Sequence, residues 1–528
     1  MMRLPRLTNK RPAGDTTITF GGYNHTEGVG KGEFYDMQNL TSDCFPLLAP
    51  RKPRGTVQEL TKANGLFARE KLLWVDGTEV FYDGVRVGEA ADSKKQFISM
   101  GARVLIFPDK LYYNVDNGEF GTLENEFTSG GVVTYEQTFL TETELDGEGQ
   151  VYIKISANGI NKGFEKYDGV TLSGFKIEEL NKTAVIQDIG EDYIKIIAAI
   201  DKDGSQTGSI TVARTLPDMD YFAVDNNRLW GCSSAKHEIY ASKIGSPFNF
   251  HCFEGLATDS YAATIATDGD FTGAVSYLGY IMFFKENMFY RVHGTKPSNF
   301  QIMDGTARGV EAGSSGSIQI VNEVLFYKSR DGVMSFQGSM PSDVGVALGE
   351  VRYTKGSGGR CGNKYYLSVE DTDGVGHLFV YDTTRGMWHK EDAIEGEYFT
   401  QLDGVLYFLA GNTIKKTEGD DEEIIEWFAE TGDLTYGMPE SKFISRVSLR
   451  CEVAFGAALE VWISYDSSEA WERLSSIGGG GRAVRKGLVN VPMIPKRNDH
   501  FRMKFSGYGE VKLFDMTLYL STGSTERR

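Results

Sequence analysis

The chain has 528 residues, of which 41% are hydrophobic and 24% charged; this excludes a disordered or membrane-embedded polypeptide, and the length exceeds the roughly 250 to 300 residues that one hydrophobic core can organise. Glycine supplies 62 residues and aromatics 12%, and because tight turns need glycine while half-buried strands favour aromatic side chains, an all-β protein of two or three domains is expected. The formal charge of −18 argues against tight DNA binding, whose affinity comes largely from counterions released by Lys and Arg.

The opening MMRLPRLTNKRPAG is basic with no apolar stretch behind it, and no run of 18 apolar residues occurs. Neither a standard export signal nor membrane insertion is therefore expected. Residues 1–55 read as an N-terminal arm with one good strand, TTITFGG, which either completes a blade here or reaches a neighbouring subunit. Its aromatic residues Phe20 and Tyr23, with the basic stretch Arg51, Lys52 and Arg54, are the candidate subunit or partner contacts.

A hairpin then recurs: a short apolar strand, a polar turn and a second strand carrying an aromatic. It reads KLLWVDGTEVFYDG from Lys71, RVLIFPDKLYYNVDNG from Arg103, RLWGCSSAKHEIYASKIG from Arg228, YIMFFKENMFYRVHG from Tyr280 and VLFYKSRDGVMSFQG from Val324. Looser copies begin at Lys364 and Val405. Taking Leu73, Leu105, Leu229, Ile281, Leu325, Leu367 and Leu406 as equivalent, the steps are 32, 124, 52, 44, 42 and 39 residues. All but one suit a four-stranded blade of roughly 40 to 50 residues, which predicts a β-propeller of about seven blades.

The long step marks an insertion. Residues 124–215 carry alternating stretches such as QVYIKIS and DYIKIIAAI, the pattern of a small β-barrel or sandwich, so the propeller is expected over 56–123 and 216–430. From 431 to 528, strands of 8 to 10 residues such as ALEVWISYD and HFRMKFSGYG predict a C-terminal β-sandwich.

Little points to chemistry. GGYNHTEGVGKGE, with Gly28, Gly30, Lys31 and Gly32, matches neither phosphate-binding glycine pattern. DKDG (Asp201, Asp203, Gly204) and DTDG (Asp371, Asp373, Gly374) resemble pieces of calcium loops but lack the later glutamate, so they read as turns. SYDSSEAW, with Ser464, Asp466 and Trp471 in place and Ser468 where the box has Gly, resembles an Asp-box turn but stands once and outside the blades. VYDTTRGMWHK, around Tyr381, Asp382 and Trp388, resembles the end of a kelch blade. Cys44, Cys232, Cys252, Cys361 and Cys451 are odd in number and far apart, as expected of thiols in a reducing compartment. No catalytic, cofactor-binding or metal-ligating residue is expected, and the seven dispersed histidines offer no metal spacing.

FGGYNHTEGVGKGEFYDMQNLTSDCFPLLAPRKPRG resembles the start of many phage tail and head-to-tail proteins, with Phe20, Gly21, Gly22, Glu33, Asp36, Met37, Asn39, Leu40, Arg51 and Gly55 in the matching places. NNRLWGCSSAKHEIYASKIGSPFNF and the following FFKENMFYRVHGTKPSNFQI are similar to blades of the nozzle proteins of short-tailed phages, and YDGVTLSGFKIEELNKTAVIQDIGEDYIKI to their small inserted β-domain. The resemblance implies a non-enzymatic virion protein, made in the bacterial cytoplasm, that forms a ring, a hexamer by that analogy, around the DNA exit channel. It also implies contact with portal, adaptor and fibre or tail-tip proteins, and transient contact with genomic DNA. A hub or distal component of a long-tailed phage would use the same domains. The reading from another class is a carbohydrate-binding or glycoside-hydrolysing propeller, which would need paired carboxylates at a cleft.

Overall fold

The computed structural model describes residues 13–138, 151–421, 424–437, 441–468, 470–479 and 483–522. They form an all-β protein of the propeller class, with only short 3₁₀ turns between strands. Seven four-stranded antiparallel blades span 63–89, 96–122, 221–264, 273–306, 319–343, 354–390 and 396–416, the last completed by Gly55–Glu59. Two compact units result: Thr61–Ile318, with the first four blades and the inserted domain, and the described residues up to Leu60 together with those from Gln319 onward.

Each blade follows from its hydrophobic pattern. The second strands Arg228–Ser233 and Tyr280–Lys285 are buried at every position, whereas the outer strand Gln301–Thr306 is mostly exposed. Strands covered on both faces must read as continuous apolar runs, and those are the runs that repeat in the sequence.

Cations buried inside the blades hold the loops. Lys95 Nζ lies 2.6 Å from Asp109 and 2.6 Å from the Ala91 carbonyl. Arg228 donates to the carbonyls of Ser242 (2.7 Å) and Ala257 (2.8 Å), and Lys285 to those of Thr267 (2.8 Å) and Asp268 (3.2 Å). A charge taken out of water is tolerable only with such partners, so these residues fix loop conformation as they are satisfied.

The inserted domain has its own core, including Ile153, Ile155, Val170, Ile186, Ile194, Ile196 and Val212. Its first strand, Asn125–Thr128, pairs with its last, Thr211–Arg214, in the register Asn125↔Arg214. Entry and exit therefore lie side by side, and the chain resumes the blade sequence where it left it.

The N-terminal arm is the main correction to the sequence reading. Of the two alternatives, the segment takes the first, completing a blade of its own chain, but it does so as one of four separate additions rather than as a single strand. Ala13–Thr17 pairs with Val511–Thr522, Tyr23 of Gly22–Tyr23 pairs with Trp388 in the sixth blade, Asp36–Gln38 pairs with Glu426–Glu430, and Gly55–Glu59 pairs with Thr413–Lys416. The C-terminal module is two sheets, one carrying Ala13–Thr17 and the other Asp36–Gln38, around a core with Ile444, Val447, Leu449, Val461, Ile463, Met503, Phe505 and Leu518. Glu426–Glu430, assigned from sequence to the propeller, belongs to this module.

Candidate functional sites: an arginine joint and a guanidinium cleft

Of the five candidate contact residues, four are buried within the chain. Phe20 and Tyr23 are each 4% exposed, and burial pushes the Tyr23 phenol well above its usual pKa. Tyr23 packs 5.6 Å from Phe379. Arg51 Nε donates to Asn39 Oδ1 (2.8 Å), and its Nη2 lies 3.3 Å from Asp392. Arg54, 2% exposed, reaches Glu391 at 2.6 Å and Asp392 at 2.5 Å. Burial alone would lower the Arg54 pKa, but the two carboxylates more than offset it and hold it raised. Burial likewise favours protonated Asp392, and Arg54 with Arg51 holds its carboxyl below the usual range. The expectation of a partner surface thus reduces to Lys52, whose side chain is 64% exposed and pairs with Glu418 at 2.9 Å. The aromatics and arginines are taken up because the arm's short strands are added to sheets of the same chain, most of them at an edge, which brings the residues between them against intramolecular partners.

Asn39 sits at the centre of this joint. Its φ of +57° is in the left-handed region that asparagine tolerates. Its side-chain amide donates to the Glu426 carbonyl (2.9 Å), its backbone N–H donates to the Glu391 carbonyl (2.7 Å), and its carbonyl accepts from Arg51 N–H (2.9 Å). A neighbouring cleft of about 470 Å³ is lined by Asp43, Arg51, Lys52, Lys364, Asp382 and Glu418 among others. Its charges compensate one another: Lys364 meets Asp43 at 2.6 Å, and Lys52 meets Glu418.

The other motifs are structural turns. Asp371 accepts from the N–H groups of Asp373 and Val375 (both 2.9 Å) and bonds His377 Nε2 at 2.8 Å, while exposed Asp203 accepts from Gln137 N–H at 2.8 Å. Asp466 accepts from the N–H groups of Asp499 (2.8 Å) and His500 (3.3 Å), and Trp471 lies half-buried beneath Lys504 at 5.6 Å. Asp382 caps its turn through Thr384 and Arg385, and Trp388, 1% exposed, donates to the Val344 carbonyl at 2.7 Å. In the glycine-rich loop, Glu33 accepts from Gly30 N–H (2.7 Å) and from Asn24 (2.6 Å). The five cysteines are free thiols, three buried and two half-buried. Among the described residues no three or more His, Cys, Asp or Glu side chains converge as a metal site would require, and no helix is long and apolar enough to cross a membrane.

A second cleft, about 750 Å³, lies within Thr61–Ile318 where the inserted domain meets the second and third blades. Arg103, at the start of Arg103–Phe107, places its guanidinium 5.7 Å from the Tyr112 ring and 5.1 Å from the Phe248 ring. Arg214, at the end of the inserted domain, lies 5.0 Å from the same Phe248 ring. Its Nη1 meets Asp168 at 2.5 Å, both side chains being more than nine-tenths buried. Asp168 also accepts from Asn249 Nδ2 (2.9 Å), and Asn249 Oδ1 accepts from Gly169 N–H (2.9 Å), so a loop of the third blade is bonded to the inserted domain. Tyr112 donates to Glu119 at 2.6 Å; burial, then this bond, pushes its pKa up to about 12. Sequence reading missed this site because Arg103, Asp168, Arg214 and Phe248 come from different repeats; the one local signal was an arginine opening an apolar strand.

No family model and no curated protein matches the chain. Solved structures that are similar include U3-55K (8% identity, covering 69% of this chain and 98% of that one, TM-score 0.30), apo AztD from Citrobacter koseri (9%, 64% and 84%, 0.28) and the phage phi92 endosialidase (8%, 87% and 80%, 0.25). Similarities of this size carry no argument about activity, ligand or partner.

Proposed function

We propose that the chain is a structural, non-enzymatic component of a bacteriophage tail, a nozzle or hub that assembles into a hexameric ring around the DNA exit channel and docks portal, adaptor and fibre or tip proteins. The observation that carries this reading is the use made of the residues resembling the phage tail opening. Gly22 abuts the sixth blade, Met37 is fully buried in a strand added to the C-terminal module, Asn39 and Arg51 form the joint, and Gly55 begins the strand that completes the last blade. Each is taken up in packing or pairing within the chain, which supports a reading in which this segment serves architecture.

In this reading the acidic chain repels phosphates over a Debye length of about 8 to 10 Å, so that DNA passes without sticking. The test is electron microscopy of the purified full chain and of particles carrying an epitope-tagged copy. Six-fold rings and label on the tail are the expected results. A strictly monomeric protein that never enters particles would end the proposal, and hydrolysis or retention of glycans would replace it with the carbohydrate reading.

A further inference from the structure

We infer that the cleft between the inserted domain and the second and third blades is a binding site for a small molecule bearing a carboxylate or phosphate group, with Arg103 as its anchor. The charges around it are unequally satisfied. Asp168 is neutralised by Arg214, and Glu124 by Lys110 at 2.8 Å. Arg103, by contrast, has no hydrogen bond or ion pair to an acceptor among the described residues, and its Nε is buried without a partner; the carboxylate it acts on, Glu119, is itself hydrogen-bonded to Tyr112 and Asn117. Two more cations at the cleft, Lys166 and Lys243, are held by the Tyr167 ring at 5.1 and 5.3 Å, and Lys243 by the Tyr167 carbonyl at 3.1 Å, rather than by carboxylates.

An arginine left without a direct ion pair is unusual in a chain of net charge −18 and in a cleft that Glu119, Glu124, Glu165 and Asp168 also line. The aromatic rings explain how it is held there. Its charge lies over the two perpendicular rings of Tyr112 and Phe248, contacts that hold the guanidinium without consuming its N–H donors, which remain for two oxygens of one anion. A volume of about 750 Å³ accommodates more than a bare ion, so the anion is expected as one group of a larger molecule. Glu119, on the same wall, is engaged by Tyr112 and Asn117 and would restrict the ligand's charge to the Arg103 side. This inference does not depend on the tail assignment.

The experiment is calorimetric titration of the full chain at low ionic strength with inorganic phosphate and, separately, with succinate, the stronger binder identifying the oxyanion. Saturable binding of at least one is expected. Arg103→Gln should weaken it by about tenfold or more, the size of one charge-assisted contact, while the exposed Lys52→Gln, outside the cleft, leaves it unchanged. Should Arg103→Gln fail to fold by circular dichroism, Lys243→Gln decides instead, with a weakening of about threefold expected from the loss of one nearby charge. No saturable binding of either anion, or equal binding by wild type and the folded deciding variant, would overturn the inference.

Discussion

The Arg54 guanidinium lies 2.6 Å from the Glu391 carboxylate, joining the end of the N-terminal segment to the sixth blade across 337 residues of sequence. Both side chains are more than nine-tenths buried, so removing one leaves an uncompensated charge out of water. Arg54→Met is expected to cost about 3 to 5 kcal/mol. Lys52→Ala, two residues away in an exposed pair with Glu418, should cost about 1 kcal/mol or less. Urea denaturation of the two variants checks both; equal, small losses would mean the buried joint is dispensable.

Gly22 has a φ of +89°, and a Cβ built there would stand 2.4 Å from the Trp388 carbonyl oxygen. The neighbour is backbone in a paired strand and cannot move aside cheaply. Gly22→Ala should therefore lose at least about 2 kcal/mol, from backbone strain and the clash together. A thermal unfolding midpoint matching wild type would show that the segment can leave the blade without cost.

The blades were legible because each inner strand is buried on both faces and so reads as an apolar run, as in YIMFFK. The N-terminal additions were not, because Gly22–Tyr23 and Asp36–Gln38 are two and three residues long and pair with strands hundreds of positions away. No period can arise in so short a strand. The burial of Arg51 and Arg54 was hidden for the same reason: their acidic partners, Glu391 and Asp392, are adjacent only after folding. The cleft residues Arg103, Asp168 and Phe248 likewise meet only through packing of separate repeats.

His389 is 5% exposed, and burial, reinforced by nearby Lys364 and opposed by Asp382 and Asp43, pushes its pKa down to about 4. The unfolded state then takes up a proton at higher pH than the folded one. Stability from this group is complete above about pH 6.5 and falls as the pH drops toward 4, by about 3 kcal/mol. Denaturation midpoints of wild type and His389→Gln measured from pH 7 to 4 should converge as pH falls; parallel curves would remove His389 as the cause.

Calcium should not stabilise the protein through DTDG. The Asp371 carboxylate is occupied by two backbone N–H groups and His377, and those bonds, not a cation, order the turn. Melting curves with millimolar calcium and with chelator are expected to coincide, while Asp371→Ala should lower the melting temperature through the lost turn bonds. A calcium-dependent rise that Asp371→Ala abolishes would make the turn a metal site.

Asp168 couples the inserted domain's last strand to the third blade, because it serves Arg214 and Asn249 at once. Asp168→Asn keeps the shape but removes the charge, leaving Arg214 buried beside a neutral amide, at a cost of about 3 to 5 kcal/mol. Much of that cost belongs to the stranded arginine. The double variant Asp168→Asn, Arg214→Gln should therefore be less destabilised than the sum of the single ones, with a coupling of about 1 to 3 kcal/mol. Hydrogen exchange gives the spatial readout: the Gly169 amide, bonded to Asn249 Oδ1, should lose protection in Asp168→Asn before the amides of the domain's own core strand Tyr152–Ser156 do. Simultaneous loss at both would mean that the joint and the domain fold as one cooperative unit.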